Sequence, residues 1–368
     1  MAALLPVVDS NPAAGLNEFL KTLLESGKIA AVLAPRRIPG GDAVVPAMIS
    51  NPAGLDTDPF TPVLPVGTAS VVSSLTREGP PPAPVAVLIR NCQTRALVEL
   101  LKFKQAHLEN VILIGLDCAG TVEATKLAAA EDGGALAMGL FRQPEAHSEH
   151  LRPSCGTCVE FAPANCDVVV GVWGRGEGEP LLAEALTEKG AALLEGLEPA
   201  GEEAAARRGE ALATMRKARV AADEAFRGEH AGVQGLDALT AYFAHCINCQ
   251  NCRRVCPVCY CRECFFCSES LDQSPEDWLG RARVKGASRL PADTLLFHAG
   301  RFNHMILSCV ECGLCEQACP ADIPLMQIIK RVAHDAREQF GYLPGRSVEE
   351  DVPLRVFEEN EFHEVGES

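Results

Sequence analysis

Two cysteine runs constrain this chain more than any other feature: Cys246-x2-Cys249-x2-Cys252-x3-Cys256-Pro257 and Cys309-x2-Cys312-x2-Cys315-x3-Cys319-Pro320. Each has the spacing that holds a [4Fe–4S] cube, and in paired runs the fourth cysteine commonly ligates the other cube. Thiols at i, i+3 and i+6 on a tight loop reach three iron corners, and the fourth, followed by proline, opens a helix on the far side. A zinc ribbon accounts for two CxxC pairs but not for two complete runs that each close in Cys-Pro. The expectation is one cube on Cys246, Cys249, Cys252 and Cys319, and a second on Cys309, Cys312, Cys315 and Cys256. Such centres move single electrons, so the C-terminal part reads as an electron carrier.

The chain has seventeen cysteines, and its first residues lack the basic and apolar regions of a secretory signal. That combination points to metal ligation in a reducing cytoplasm rather than to a disulfide framework. A length of 368 residues predicts two or three domains. No uncharged apolar run reaches the length of a membrane span. A net charge of −16 argues against nucleic acid as a partner, because phosphate binding needs basic surface. The charge itself reads as a device for solubility.

Apolar residues at helical spacing predict a helix over 16–26, followed by a short strand at 29–33. Residues 84–90 and 110–116 read as strands joined by a helix over 94–107, a βαβ unit that favours a parallel sheet. Another strand begins at Val168. Residues 180–228, rich in Ala, Leu, Glu and Arg, predict two or three helices. The long segment between Cys256 and Cys309 reads as helical over 275–284 and 294–305. The fold class is therefore α/β, with an N-terminal α/β domain over 1–232. A helical, ferredoxin-like dicluster domain with a long insert follows over 233–342, and then a tail over 343–368.

Nine further cysteines lie outside the two runs. Cys92 and Cys118 fall just past the ends of predicted strands, where open α/β sheets place their ligands. With the CxxC pair Cys155 and Cys158 they would suffice for another [4Fe–4S] cluster. Small buried core residues are an equally good reading of their spacing alone. Cys259, Cys261, Cys264 and Cys267 would hold an additional iron–sulfur cluster or a zinc ion, or else supplement the neighbouring cubes. Cys166 reads as core. His245 and His304 read as packed near the cluster cysteines, and His147 and His150 as solvated. The glycine-rich stretch from Gly171 through Gly174 to Gly178 does not satisfy GxGxxG and is a weak nucleotide motif. The doublets Arg36-Arg37, Arg207-Arg208 and Arg253-Arg254 read as solvated surface.

Three blocks together resemble one family: Arg90-Asn-Cys-Gln-Thr-Arg-Ala-Leu, Ile114-Gly-Leu-Asp-Cys-Ala-Gly, and Cys155-Gly-Thr-Cys-Val-Glu-Phe with Asp167-Val-Val-Val-Gly. The family is the coenzyme F-420 hydrogenase/dehydrogenase beta subunits, including formate dehydrogenase beta chains, and the likeness covers roughly residues 15–200. The resemblance implies a cluster on Cys92, Cys118, Cys155 and Cys158 with FAD nearby, and brings Gly171 and Gly174 forward as flavin-approaching positions. Asn91 and Gln93 stand where the family usually has Pro and Glu, and its glycine-containing segment is not recognisable around 51–66. The dicluster part follows the family domain, as in bacterial formate dehydrogenase beta-like members.

The implied function is an electron-transfer, flavin-containing subunit of a cytoplasmic multi-subunit oxidoreductase. Its partners would be a formate dehydrogenase or hydrogenase catalytic subunit and a heterodisulfide reductase-like flavoprotein. Two alternatives stand beside it: a flavin-free iron–sulfur adaptor between two redox subunits, and a stand-alone flavin-dependent reductase of NAD(P)H or a deazaflavin.

Overall fold

The computed structural model describes residues 1–356 apart from 9–10, 39–43, 65, 272–273 and 287–293. The last part of the expected C-terminal tail, 357–368, lies outside the described residues, as does position 65 of the 51–66 segment.

Seven strands form one sheet in the order β1-β7-β6-β5-β4-β2-β3. The centre is parallel: β2 (Ala31–Arg37), β4 (Val85–Arg90), β5 (Val111–Leu116) and β6 (Val168–Gly171). The edges are antiparallel, with β3 (Val44–Ile49) beside β2, and β7 (Leu181–Ala185) between β6 and β1 (Ala2–Leu5). The expected parallel sheet is thus the middle of a mixed one. Strands β4 and β5 are near-continuous apolar runs because both faces are covered. Along β4, Val87 and Ile89 enter one core and Ala86 and Leu88 the other.

One face carries the helix Pro12–Glu25, which buries Leu16, Phe19, Leu20 and Leu23. Each such side chain contributes about 1.5–3 kcal/mol relative to exposure. This helix starts earlier than expected, at Pro12, because the Asn11 side chain accepts from the amides of Ala13 and Ala14 at 2.9 and 3.3 Å. The other face carries the helices Thr68–Leu75 and Asn91–Lys102. From Val87 and Ile89 that core continues without a break to Phe243, Phe297, Met326 and Ile329. The cysteine-rich part is therefore packed against the sheet.

Residues 180–228 depart from the expected all-helical reading. Leu181–Ala185 is a strand inside the antiparallel side of the sheet, and the helices Glu188–Leu194 and Glu202–Glu229 follow it. Pairing with both β6 and β1 overrides the helical preference of Leu-Leu-Ala-Glu-Ala. The helices of the insert, Pro275–Lys285 and Thr294–Met305, fall where the periodicity placed them. Among the described residues no helix is long and apolar enough to cross a membrane.

Candidate metal centres

The N-terminal thiols converge at the carboxyl end of the parallel strands. β4 ends at Arg90 and leads directly into the helix Asn91–Lys102, so Cys92 sits in its first turn, and Cys118 follows β5. Cys155 lies in the short turn Pro153–Gly156, with Cys158 just beyond it. Burial pushes the Cys158 thiol up to about 12, reinforced by Cys155, Cys92 and Cys118. Burial, then Cys118, moves Cys92 to about 11. Burial works the same way on Cys155, but the Arg152 guanidinium, hydrogen bonds from Thr121 and the Arg90 charge outweigh it and bring that thiol down to about 7. Arg90 Nη1 stands 3.4 Å from Cys118 Sγ, and Arg152 Nη2 and Thr121 Oγ1 stand 3.6 and 3.3 Å from Cys155 Sγ. Four mutually repelling thiols faced by two guanidinium groups suit an anionic, thiolate-bound cluster.

The two C-terminal runs build one local shape twice. The second and fourth residues after the first cysteine have left-handed backbones, Asn248 and Gln250 in one run and Glu311 and Gly313 in the other. A single helical turn follows each, Asn251–Arg254 and Leu314–Gln317. Burial raises Cys252 to about 12, and its thiol neighbours are Cys315, Cys246 and Cys319. Burial also raises Cys309 to about 12, with Cys256 as its leading thiol neighbour, and Cys312 faces Cys92, Cys256 and Cys315. The fourth cysteine of each run thus lies with the other run. Cys249 is exposed.

Two groups on the helix Thr294–Met305 face these thiols, and the sequence reading singled out neither. Arg301 is 2% exposed, and its Nε, Nη1 and Nη2 lack hydrogen-bond partners among the described residues. Burial opposes its charge, but Cys315, Cys256, Cys259 and Cys252 surround it and favour it. The ring of His298 stacks on Phe243, centroids 3.9 Å apart, with Nε2 3.3 Å from Cys246 Sγ. Burial, then Arg301, lowers its pKa to about 4 and keeps the imidazole neutral. A usable signal existed in the buried helical stripe Phe297, His298, Arg301, Phe302 and Met305, which carries two polar side chains.

Arg152 joins the two regions. It donates from Nε to Thr121 Oγ1 at 2.7 Å, from Nη1 to Gln317 Oε1 at 2.6 Å, and from Nη2 to the Cys312 carbonyl at 3.3 Å. At Gly313 the backbone passes so close to Ser154 that a Cβ would collide with its side chain.

The remaining thiols behave differently. Cys259 is hydrogen-bonded to Cys256, which brings the Cys256 thiol down and pushes its own up. Cys267 Sγ donates to Gln250 Oε1 and accepts from Arg253 Nη2, both at 2.9 Å. Cys261 is exposed and Cys264 half-buried. Among the described residues no three His, Cys, Asp or Glu side chains close around a single-ion position. A four-iron cube needs a wider cage than one ion does. Cys166 is core, packed on Gly115.

Gly171 and Gly174, the flavin-approaching candidates, lie against the helix Glu202–Glu229. A Cβ at Gly171 would strike the Arg208 side chain, and one at Gly174 the backbone of Arg207 and Arg208. Arg208 is not the solvated residue expected from its doublet. Its Nη2 and Nε pair with Asp117 at 2.6 and 3.1 Å, and the Asp117 side chain is fully buried. The adjacent cleft, lined by Phe141, Trp173 and the 174–179 loop, has a volume of about 220 Å³. Ligand pockets usually span about 300–1,000 Å³, and this cleft lies below that range.

An α/β sheet with thiols gathered at its carboxyl end, packed on a duplicated cysteine run, is the arrangement of an iron–sulfur protein. Residues 243–323 match the 4Fe-4S dicluster domain family. The chain is similar to F420-dependent formate dehydrogenase beta subunits. One, from Methanocaldococcus jannaschii, is 27% identical over 71% of this chain and 73% of the relative. Another, from Methanococcus maripaludis and named subunit beta of F420-dependent formate dehydrogenase 1, is 28% identical over 91% of this chain and 90% of the relative. A chain of the F420-reducing [NiFe] hydrogenase complex from Methanosarcina barkeri superposes with a TM-score of 0.42 at 12% identity, covering 62% of this chain and 92% of that one.

Proposed function

We propose that the chain relays single electrons between redox subunits of a cytoplasmic oxidoreductase of the formate dehydrogenase or hydrogenase type. Three [4Fe–4S] clusters would supply the one-electron chemistry. Cys92, Cys118, Cys155 and Cys158 hold one, Cys309, Cys312, Cys315 and Cys256 the next, and Cys246, Cys249, Cys252 and Cys319 the third. The observation that carries this reading is the Arg152 bridge, which ties the N-terminal thiols to the Cys312 loop. Through it the Cys309 set becomes the middle station. The chain's own residues fix spacing and charge: Arg90 and Arg152 face the first thiol set, and Arg301 lies between the other two. A formate dehydrogenase or hydrogenase catalytic subunit at one end and a heterodisulfide reductase-like flavoprotein at the other complete the proposed wiring. The domain division at 232 and 342 belongs to the same proposal.

Iron, sulfide and flavin analysis of anaerobically purified protein tests it. Cys155→Ser should remove about one cube's worth of iron and sulfide, and an unchanged content would eliminate the N-terminal centre.

The flavin-free adaptor is favoured over a flavoprotein by the helix that lies against Gly171 and Gly174. Stoichiometric flavin in the purified chain would reverse that preference.

A further inference from the structure

A second cleft, of about 510 Å³, opens where the helix Thr68–Leu75 meets the first cysteine run, well away from the Gly171 loop. Its volume lies within the range of small-molecule sites, and its lining is polar. Arg77, Lys104, Arg254 and Arg262 surround it, with Ser70 and Ser74 on one wall and Cys256 and Cys259 also lining it. All four cations are exposed, and among the described residues none has a carboxylate within 4.0 Å. In a chain carrying −16 net charge, four unpaired cations around one concave surface form a local reversal of sign. The remaining walls are also fixed in place. Ser73 Oγ donates to the Gln105 carbonyl at 2.7 Å, and Tyr260 packs on Phe103 with ring centroids 5.2 Å apart.

We infer that this cleft binds a phosphate-bearing small molecule beside Cys256. Cationic groups with serine hydroxyls at the rim supply charge and hydrogen-bond donors together, which is what phosphate oxygens require. Lys104 is held at φ 56°, a backbone region that asparagine tolerates and most residues avoid, and it lines the cleft.

Calorimetric titration of the anaerobic holoprotein with inorganic pyrophosphate, at matched ionic strength, tests the inference. Wild-type protein should bind saturably, with affinity falling as sodium chloride rises. The double variant Arg77→Gln with Lys104→Asn should weaken binding at least tenfold while iron and sulfide content stay unchanged. Absence of saturable binding by the wild type, or equal affinity in the double variant, would overturn it. Metal content is read separately, so failure here is distinguishable from failure of the electron-relay reading.

Discussion

Arg301→Gln is expected to lower the midpoint potentials of both C-terminal centres by on the order of 100 mV, with iron content retained. A fixed positive charge favours the reduced, more negative state of whatever the thiols hold. Two unit charges at about 4 Å interact by about 4 kcal/mol at an effective dielectric of about 20. For a one-electron couple about 1.4 kcal/mol corresponds to about 59 mV. Relaxation of the surroundings removes part of that effect. Arg301 faces Cys252 of one set and Cys256 and Cys315 of the other, so both potentials should move together. The proposed N-terminal centre, faced by Arg90 and Arg152 instead, should hold its value. Arg301→Lys keeps the charge and should stay much nearer to wild type. Redox titration followed by electron paramagnetic resonance makes the measurement. Fully loaded Arg301→Gln protein with unshifted potentials would remove Arg301 as the shared counter-charge.

What the sequence made legible follows from how local each signal is. β4, β5 and β6 could be read because continuous apolar runs such as Val111–Leu116 have few other uses in a chain of this size. The two runs themselves were legible because cysteine spacing carries them, and the structure brings them together, with Cys319 among the neighbours of Cys252 and Cys256 among those of Cys309. The strand Leu181–Ala185 was hidden because its residues favour a helix and one of its two pairing partners, Ala2–Leu5, lies far away at the start of the sequence. Arg208 looked like surface because only the fold brings buried Asp117 opposite it. Gly171 and Gly174 illustrate the same limit. A glycine reports that something comes close without reporting what, and here the close neighbour is a helix of the same chain.

Lys330→Met should destabilise the protein by about 3 kcal/mol, because a single buried ammonium holds three separate parts of the chain together. The Lys330 side chain is 2% exposed. Its Nζ pairs with Asp223 at 2.6 Å on the helix Glu202–Glu229, and with Glu311 at 3.4 Å in the second cysteine run. It also donates to the Thr157 carbonyl at 2.9 Å, between Cys155 and Cys158. Removing one partner of a buried ion pair typically costs about 3–5 kcal/mol, because the other charge is left uncompensated. The low end applies because Asp223 keeps Arg227 at 3.0 Å and Glu311 keeps Arg337 at 2.7 Å. Burial pushes the Asp223 carboxyl up, but Lys330 and then Arg227 outweigh it and hold it below its ordinary value. A depressed folded-state pKa contributes stability that is present above the unfolded value of about 4 and is lost as pH falls through the folded one. The gap in thermal midpoint between wild type and Lys330→Met should therefore stay constant from about pH 8 to about pH 5, where Asp223 is ionised in both folded and unfolded chains. Combining Lys330→Met with Asp223→Asn should cost less than the sum of the two single changes, by about 0.5–3 kcal/mol. Equal midpoints for Lys330→Met and wild type would show that Lys330 adds nothing to the apolar contacts and the Arg152 hydrogen bonds that also join these parts.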